Sequence, residues 1–223
     1  MNNNQLGRQL TAEFFGSLIL VFTAISPIIL GFNVLEAGIG IAVLMDAIAV
    51  GFVLFVLIET LGPISGCHLN PAVTVAMLYA KKIDRSSAIG FIIVQTVGGL
   101  LGMFASHIAF LGHDFFQWVA VSEVTRNGGA FFAEFIGTFM LIVVIFGTIR
   151  NKSTQAGLII GLLVGGFLIT TSSTMFANPQ VTLARMFTWA AAGIRPADAM
   201  VFIVVQFAAA IAGTRFSMYL FGE

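Results

Sequence analysis

Six stretches of mainly apolar residues run through the chain, near positions 10–32, 38–60, 87–111, 130–149, 156–176 and 197–221. A bilayer core about 30 Å thick is crossed by about 20 helical residues at about 1.5 Å each, so each stretch is long enough to span. In hydrocarbon every backbone N–H and C=O has to be satisfied within the protein, and runs of this length do that as helices. Only 9% of the 223 residues are charged and 58% are hydrophobic, against roughly 25% charged in soluble domains; the mean hydropathy is +1.02. A soluble globular domain and a disordered chain are both excluded. Formal net charge is +0, so there is no basic field to recruit nucleic acid. The length accommodates one transmembrane domain, residues 1–223, and no soluble module. The first run lacks a convincing cleavage site and exceeds a secretory h-region, so it reads as a retained helix.

Two shorter apolar segments, 70–79 and 178–188, follow the second and fifth runs, and each begins with Asn-Pro. They are too short to span and read as re-entrant half-helices. The two halves of the chain repeat. Ala12-Glu13-Phe14 returns as Ala133-Glu134-Phe135, Asn70-Pro71-Ala72-Val73-Thr74 as Asn178-Pro179-Gln180-Val181-Thr182, and Val94-Gln95 as Val205-Gln206. Repeat one covers about 1–111 and repeat two about 130–223. Three spans per half is an odd number, so the second half lies upside down relative to the first, an inverted repeat of the kind found in channels and transporters. With both short segments returning to the face they entered, Arg8, Lys81, Lys82, Arg85, Arg150, Lys152 and Arg215 share one side. Arg126, Arg185 and Arg195 fall on the other. The positive-inside rule then puts both termini in the cytoplasm of a multi-pass cell-membrane protein.

The two Asn-Pro ends are expected to meet near the midplane. Proline at the first helical position loses no hydrogen bond, and asparagine before it is a good N-cap. Asn70 and Asn178 therefore form a pore centre where two positive half-dipoles and two amide donors converge. Such a centre repels cations, interrupts a proton-conducting water chain and accepts a neutral solute through an oxygen lone pair. The irregular segments before each Asn, with Gly66, Cys67 and His68 lining the cytoplasmic half-pore, offer carbonyl acceptors where they face water.

These segments resemble the aquaporin (major intrinsic protein) family over essentially the whole chain. Ser65-Gly66-Cys67-His68-Leu69-Asn70-Pro71-Ala72-Val73-Thr74 is close to the family's first signature, and the Ala-Glu-Phe openings of spans one and four match as well. The second signature departs: Gln180 replaces a small residue and Val181 replaces an arginine. Its Asn-Pro-x-Val-Thr-x-Ala-Arg form is similar to a bacterial aquaglyceroporin-like branch found with arsenic-resistance genes. The resemblance implies six transmembrane helices with two half-helices, a homotetramer in membrane lipid, and loop-supporting roles for Glu13 and Glu134. Counting back from the Asn residues as the family does gives Val50, Gly166, Met175 and Val181 as the outer constriction, apolar and widened unless Met175 folds across it. One turn farther out, Asp46 and Arg185 share the faces of Val50 and Val181. They are expected in an outer vestibule, either paired or separately solvated.

The function expected is a passive channel for small uncharged solutes, namely water, glycerol and arsenous acid, excluding protons and ions. The alternative is a proton-coupled carrier in which Glu13, Glu134 or Asp46 titrates. No nucleophile–base pair, metal-ligand set or phosphate-cradling glycine motif is visible, so neither catalysis nor a metal or cofactor is expected. Gly157, Gly161 and Gly165 in span five, and Gly98, Gly99 and Gly102 in span three, read as close helix contacts. Glu59 has no role assigned at this point.

Overall fold

The computed structural model describes residues 3–222, and among these the chain is all-α. The elements are α1 (Asn3–Thr23), α2 (Ser26–Ile28) running into a wider π turn (Ile29–Val34), α3 (Ile39–Ser65), α4 (Pro71–Tyr79) and α5 (Arg85–Ile108). The second half supplies α6 (Gly128–Arg150), α7 (Ala156–Thr170), α8 (Pro179–Arg185) and α9 (Pro196–Phe221). The order long, long, short, long thus occurs twice. Five elements are long and apolar enough to cross a membrane, and α7 is a sixth, shorter apolar helix. Outward residues such as Phe52, Leu162 and Val204 are exposed, as a multi-pass membrane protein requires. Six crossings bring both ends of the chain to one face, called here the terminal face; the other is the distal face.

The packing repeats with the sequence. α1 packs on α5 and its counterpart α6 on α9, while α3 and α7 pack on each other across the two halves. Each half-helix lies against the last span of the opposite half, α4 on α9 and α8 on α5. Lipid gives no hydrophobic drive for helices to associate, so close backbone approach carries the contacts. A Cβ on Gly51 would meet Gly161 O at 3.0 Å, and one on Gly161 would meet Gly51 O at 2.5 Å. Cβ atoms on Gly98 and Gly102 would run into the carbonyls of Phe14 and Leu18. Gly102→Ala is therefore expected to lower stability by about 1–3 kcal/mol through overpacking. Gly62→Ala, with nothing within 4 Å of its new methyl, should be neutral or slightly stabilising. Melting curves of the two variants in one detergent check the contrast; equal melting temperatures would contradict it.

Several boundaries differ from the sequence reading. The first span is broken near its distal end, because Pro27 has no N–H to give and Ile28 N–H bonds Ile25 O at 3.1 Å instead of Ala24 O. The Ala24 carbonyl is thereby freed. α3 continues past 60, through Pro63, until Gly66 closes it at φ 86°. α7 stops at Thr170, six residues short of 176, and α8 ends at Arg185. Glu59 caps the start of α7, its Oε1 accepting Gly157 N–H at 3.0 Å. His107 is fully buried and ties α5 to both distal loops, through Thr188 Oγ1 at 2.7 Å and Trp118 O at 3.0 Å.

Candidate functional site

α4 and α8 start at the prolines of the two Asn-Pro pairs, and each Asn caps its own helix. Asn70 Oδ1 accepts Ala72 N–H at 2.9 Å and Asn178 Oδ1 accepts Gln180 N–H at 3.1 Å. That fixes which way each amide nitrogen faces. Asn70 Nδ2 donates to Ala177 O at 2.7 Å, and Asn178 Nδ2 donates to Leu69 O at 2.8 Å. Each asparagine thus holds the carbonyl just before the other asparagine. One N–H per amide is spent on this lock, leaving the second for a guest. Gln180 adds a link absent from the first half, donating from Nε2 to Leu69 O at 2.5 Å. Gly99 faces this amide; a Cβ there would lie 3.1 Å from Gln180 Oε1.

The loops before the two asparagines match residue for residue. Gly66, Cys67 and Leu69 have positive φ, as do their counterparts Thr174, Met175 and Ala177. A non-glycine residue there costs about 1–3 kcal/mol and persists only where its surroundings over-determine it. The buried carboxylates do this. Glu13 accepts from His68 N at 2.9 Å, Leu69 N at 2.8 Å, Ser65 Oγ at 2.6 Å and Gln95 Nε2 at 2.8 Å. Glu134 accepts from Phe176 N at 3.2 Å, from Ala177 N and from Gln206 Nε2 at 2.7 Å. Each glutamine also donates to the threonine of its half-helix: Gln95 to Thr74 at 3.0 Å and Gln206 to Thr182 at 2.8 Å. These four residues carry no role in the sequence reading. The repeated Val-Gln was the signal, since an amide buried at matching places in two spans needs partners.

A cavity of about 280 Å³ runs between the halves, from Ile58 and Thr148 near the terminal face to Asp46 and Arg185 near the distal face. Asn70 and Asn178 line its middle, and Gly66, Cys67 and His68 line it on the terminal side. His68 shares a hydrogen bond with Thr74 Oγ1 at 3.1 Å and packs edge-on against Phe91. Cys67 is buried, its thiol donating to Leu57 O at 3.3 Å.

Of the four positions expected at the outer constriction, Val50, Met175 and Val181 line the cavity and Gly166 does not. Val164 and Leu168 line it from α7 instead. The chain between Thr170 and Asn178 is not helical, so counting back from Asn178 loses the register of α7. Met175 lies against α6, its Cγ 3.0 Å from where a Cβ on Gly137 would be. Of the two expectations for Asp46 and Arg185 in the outer vestibule, the pairing is met and the separately solvated arrangement is not. Both are buried, at 2% and 3% exposed, and they form an ion pair at 3.3 Å. Helical side chains lean toward the helix N-terminus, and for α8 that end is at the midplane. The Arg185 guanidinium therefore swings back, donates to Ala24 O, and lies 4.3 Å from the Phe176 ring centroid. Arg126 approaches the same ring at 5.4 Å. Burial, and then the like charge of Arg185, hold the Arg126 guanidinium below its ordinary pKa.

The family described as Major intrinsic protein matches residues 1–177. An aquaglyceroporin, AqpS of Rhizobium meliloti (strain 1021), is 31% identical over 211 residues, which are 95% of this chain and 89% of that protein. Aquaporin AqpM of Methanothermobacter marburgensis is 32% identical over a 214-residue alignment that covers 82% of this chain and 82% of that protein. The X-ray structure of the aquaglyceroporin from Plasmodium falciparum superposes with a TM-score of 0.75 at 20% identity over 95% of both chains, a likeness of fold. With the paired Asn-Pro half-helices and the extent of these matches, the chain belongs to the major intrinsic protein family.

Proposed function

We propose that this chain is a passive channel for small uncharged solutes larger than water, glycerol and arsenous acid among them, and that it excludes protons and ions at the Asn70–Asn178 centre. Membership of the family makes it a membrane channel of the water and glycerol kind and not an enzyme. The observation that carries the finer reading is the reciprocal lock of the two asparagines in the middle of the cavity. It aims the positive ends of α4 and α8, and a spare amide N–H from each, at whatever passes. Relatives named as an aquaglyceroporin and a glycerol uptake facilitator-like protein support glycerol as a solute. We take the chain as a single channel domain, with its terminal face cytoplasmic, assembled as a homotetramer in membrane lipid.

The carrier alternative needs a carboxylate that exchanges protons with water. Glu13 and Glu134 are fully buried and each is engaged by three or more donors, and Asp46 is buried in its ion pair with Arg185, which supports the passive reading. Proteoliposome swelling decides between them. Wild-type vesicles are expected to take up water, glycerol and arsenous acid rapidly, with weak temperature dependence and no response to a pH gradient. A water-only profile would overturn the solute range, and uptake driven by a pH gradient would overturn the channel.

A further inference from the structure

α4 ends at Tyr79 on the terminal face, between α5 and α9, two spans from different halves of the repeat. The outward faces of both spans are apolar up to this level and then turn basic. On α5, Ile93 and Ile89 are exposed, and Arg85 stands one turn nearer the terminal face than Ile89. On α9, Val204 and Ile211 are exposed, and Arg215 stands one turn nearer that face than Ile211. Residues four apart share a helix face, so each cation tops an apolar stripe. The end of α4 is the floor of the groove. Arg215 Nε donates to Tyr79 Oη at 2.8 Å, and its guanidinium lies 5.9 Å from the centroid of that ring. Tyr79, Lys81 and Arg85 line one open concavity of about 650 Å³. Asp84 lies in its wall but is spent on the start of α5, accepting Ser86 and Ser87 N–H at 3.0 Å and Ser87 Oγ at 2.7 Å. Among the described residues no carboxylate pairs with Lys81, Arg85 or Arg215. The matching junction on the distal face, where α8 lies between the same two spans, differs. There Asp198 holds Arg195 through Nε at 2.8 Å and Nη2 at 3.0 Å.

We propose that this groove binds an anionic phospholipid, its headgroup phosphate held by Lys81, Arg85 and Arg215 and its acyl chains lying on the outward faces of α5 and α9. Basic pockets between transmembrane helices suit anionic headgroups, and phosphate oxygens accept charge-assisted hydrogen bonds from both ammonium and guanidinium. A bias of cations toward one face is general in membrane proteins. It does not require three of them, without a carboxylate pairing to any, to converge on one concavity between two apolar spans. A free phosphate would meet the cations but leave the apolar stripes below them without an occupant; a lipid meets both. A zwitterionic lipid carries its own cation beside the phosphate and gains less. None of the four residues Tyr79, Lys81, Arg85 and Arg215 lines the central cavity, so the site stands apart from the solute path. A lipid bound there would link the end of α4 to one span from each half.

The test uses the full chain in detergent, with native mass spectrometry reading the dissociation constant of the first lipid bound per chain. Phosphatidylglycerol is the anionic probe, phosphatidylcholine the zwitterionic one, and inorganic phosphate the free anion. Phosphatidylglycerol is expected to bind the wild type more tightly than phosphatidylcholine. Lys81→Gln combined with Arg85→Gln should weaken phosphatidylglycerol about twentyfold, at about fivefold for each cation beside an anionic lipid. Arg150→Gln combined with Lys152→Gln removes the same charge from the terminal face outside the concavity and should leave the affinity unchanged. Loss in the first variant with retention in the second supports the site. Equal loss in both overturns it, because net charge then sets the affinity, and so does full affinity in the first. Equal wild-type affinity for the two lipids overturns it as well. Displacement of phosphatidylglycerol by inorganic phosphate at equal concentration overturns the lipid in favour of a free anion. If the first variant does not fold, the wild type decides in about 1 M ammonium acetate, where charges are screened beyond about 3 Å. A preference for phosphatidylglycerol that disappears there supports the site, and one that persists overturns it.

Discussion

Glu13→Gln is expected to destabilise the protein somewhat more than Glu134→Gln, although the two carboxylates occupy matching places in the repeat. Glu13 receives two donors on each oxygen: Ser65 Oγ and His68 N on Oε1, Leu69 N and Gln95 Nε2 on Oε2. A glutamine has to turn its own NH₂ toward one of those pairs, which loses two hydrogen bonds and sets donors against donors. At about 1.5–3 kcal/mol for a hydrogen bond to a charged group, the loss is about 3–5 kcal/mol. That is a large share of the roughly 5–15 kcal/mol that holds an ordinary domain together. Glu134 gathers Ala177 N and Gln206 Nε2 on Oε1, and is also held by the Ser173 hydroxyl, the counterpart of Ser65, and by Phe176 N on Oε2 at a longer 3.2 Å. Its glutamine can turn the NH₂ to the Oε2 side, where the backbone bond is the longer one, so the expected loss is about 2–4 kcal/mol. Unfolding midpoints in a denaturing-detergent titration read the difference. A Glu13→Gln protein as resistant as the wild type would show that the carboxylate does not hold Cys67 and Leu69 in their left-handed conformation.

The half-helices were legible in the sequence because their signals are local. Asparagine followed by proline sets both the cap and the first helical residue, and α4 and α8 begin at Pro71 and Pro179 as read. The inverted order was legible because it needs only a parity count of the spans. The break at Ala24 was not, although Ser26-Pro27 stood in plain view: an unbroken apolar run from Phe14 to Phe32 outweighed a single proline, and no sequence rule says which carbonyl the break will free. Gly166 was misplaced because helical periodicity carries no register through the non-helical stretch between Thr170 and Asn178. Arg185 was read from its Cα height, one turn beyond Val181. The lean of its side chain toward the N-terminus of α8, and the free Ala24 carbonyl waiting there, bring the charge back to Phe176.

The asymmetry that Gln180 introduces makes the two central asparagines unequal, and an aspartate scan is expected to show it. Asp at position 70 would set a carboxylate oxygen against Ala177 O, where Asn70 Nδ2 now donates at 2.7 Å. The repulsion would free that loop, because no other side chain donates to the Ala177 carbonyl among the described residues. Asp at position 178 does the same to Leu69 O, but Gln180 Nε2 still holds that carbonyl at 2.5 Å. Asn70→Asp should therefore melt at a lower temperature than Asn178→Asp. Both should leak cations, since a carboxylate opposes the positive ends of α4 and α8. One unit charge at about 4 Å and an effective dielectric of about 20 is worth about 4 kcal/mol, close to a thousandfold in the partitioning of a cation. Proton and potassium flux into vesicles, followed with entrapped indicators at fixed salt, measures the leak, and melting in detergent measures the asymmetry. Folded variants that stay as tight to cations as the wild type would place the ion barrier elsewhere, with the Arg185 guanidinium as the next charge along the cavity to remove. Equal melting temperatures would mean that Gln180 does not support the Leu69 carbonyl, and that its amide serves only to fill the space left open by Gly99.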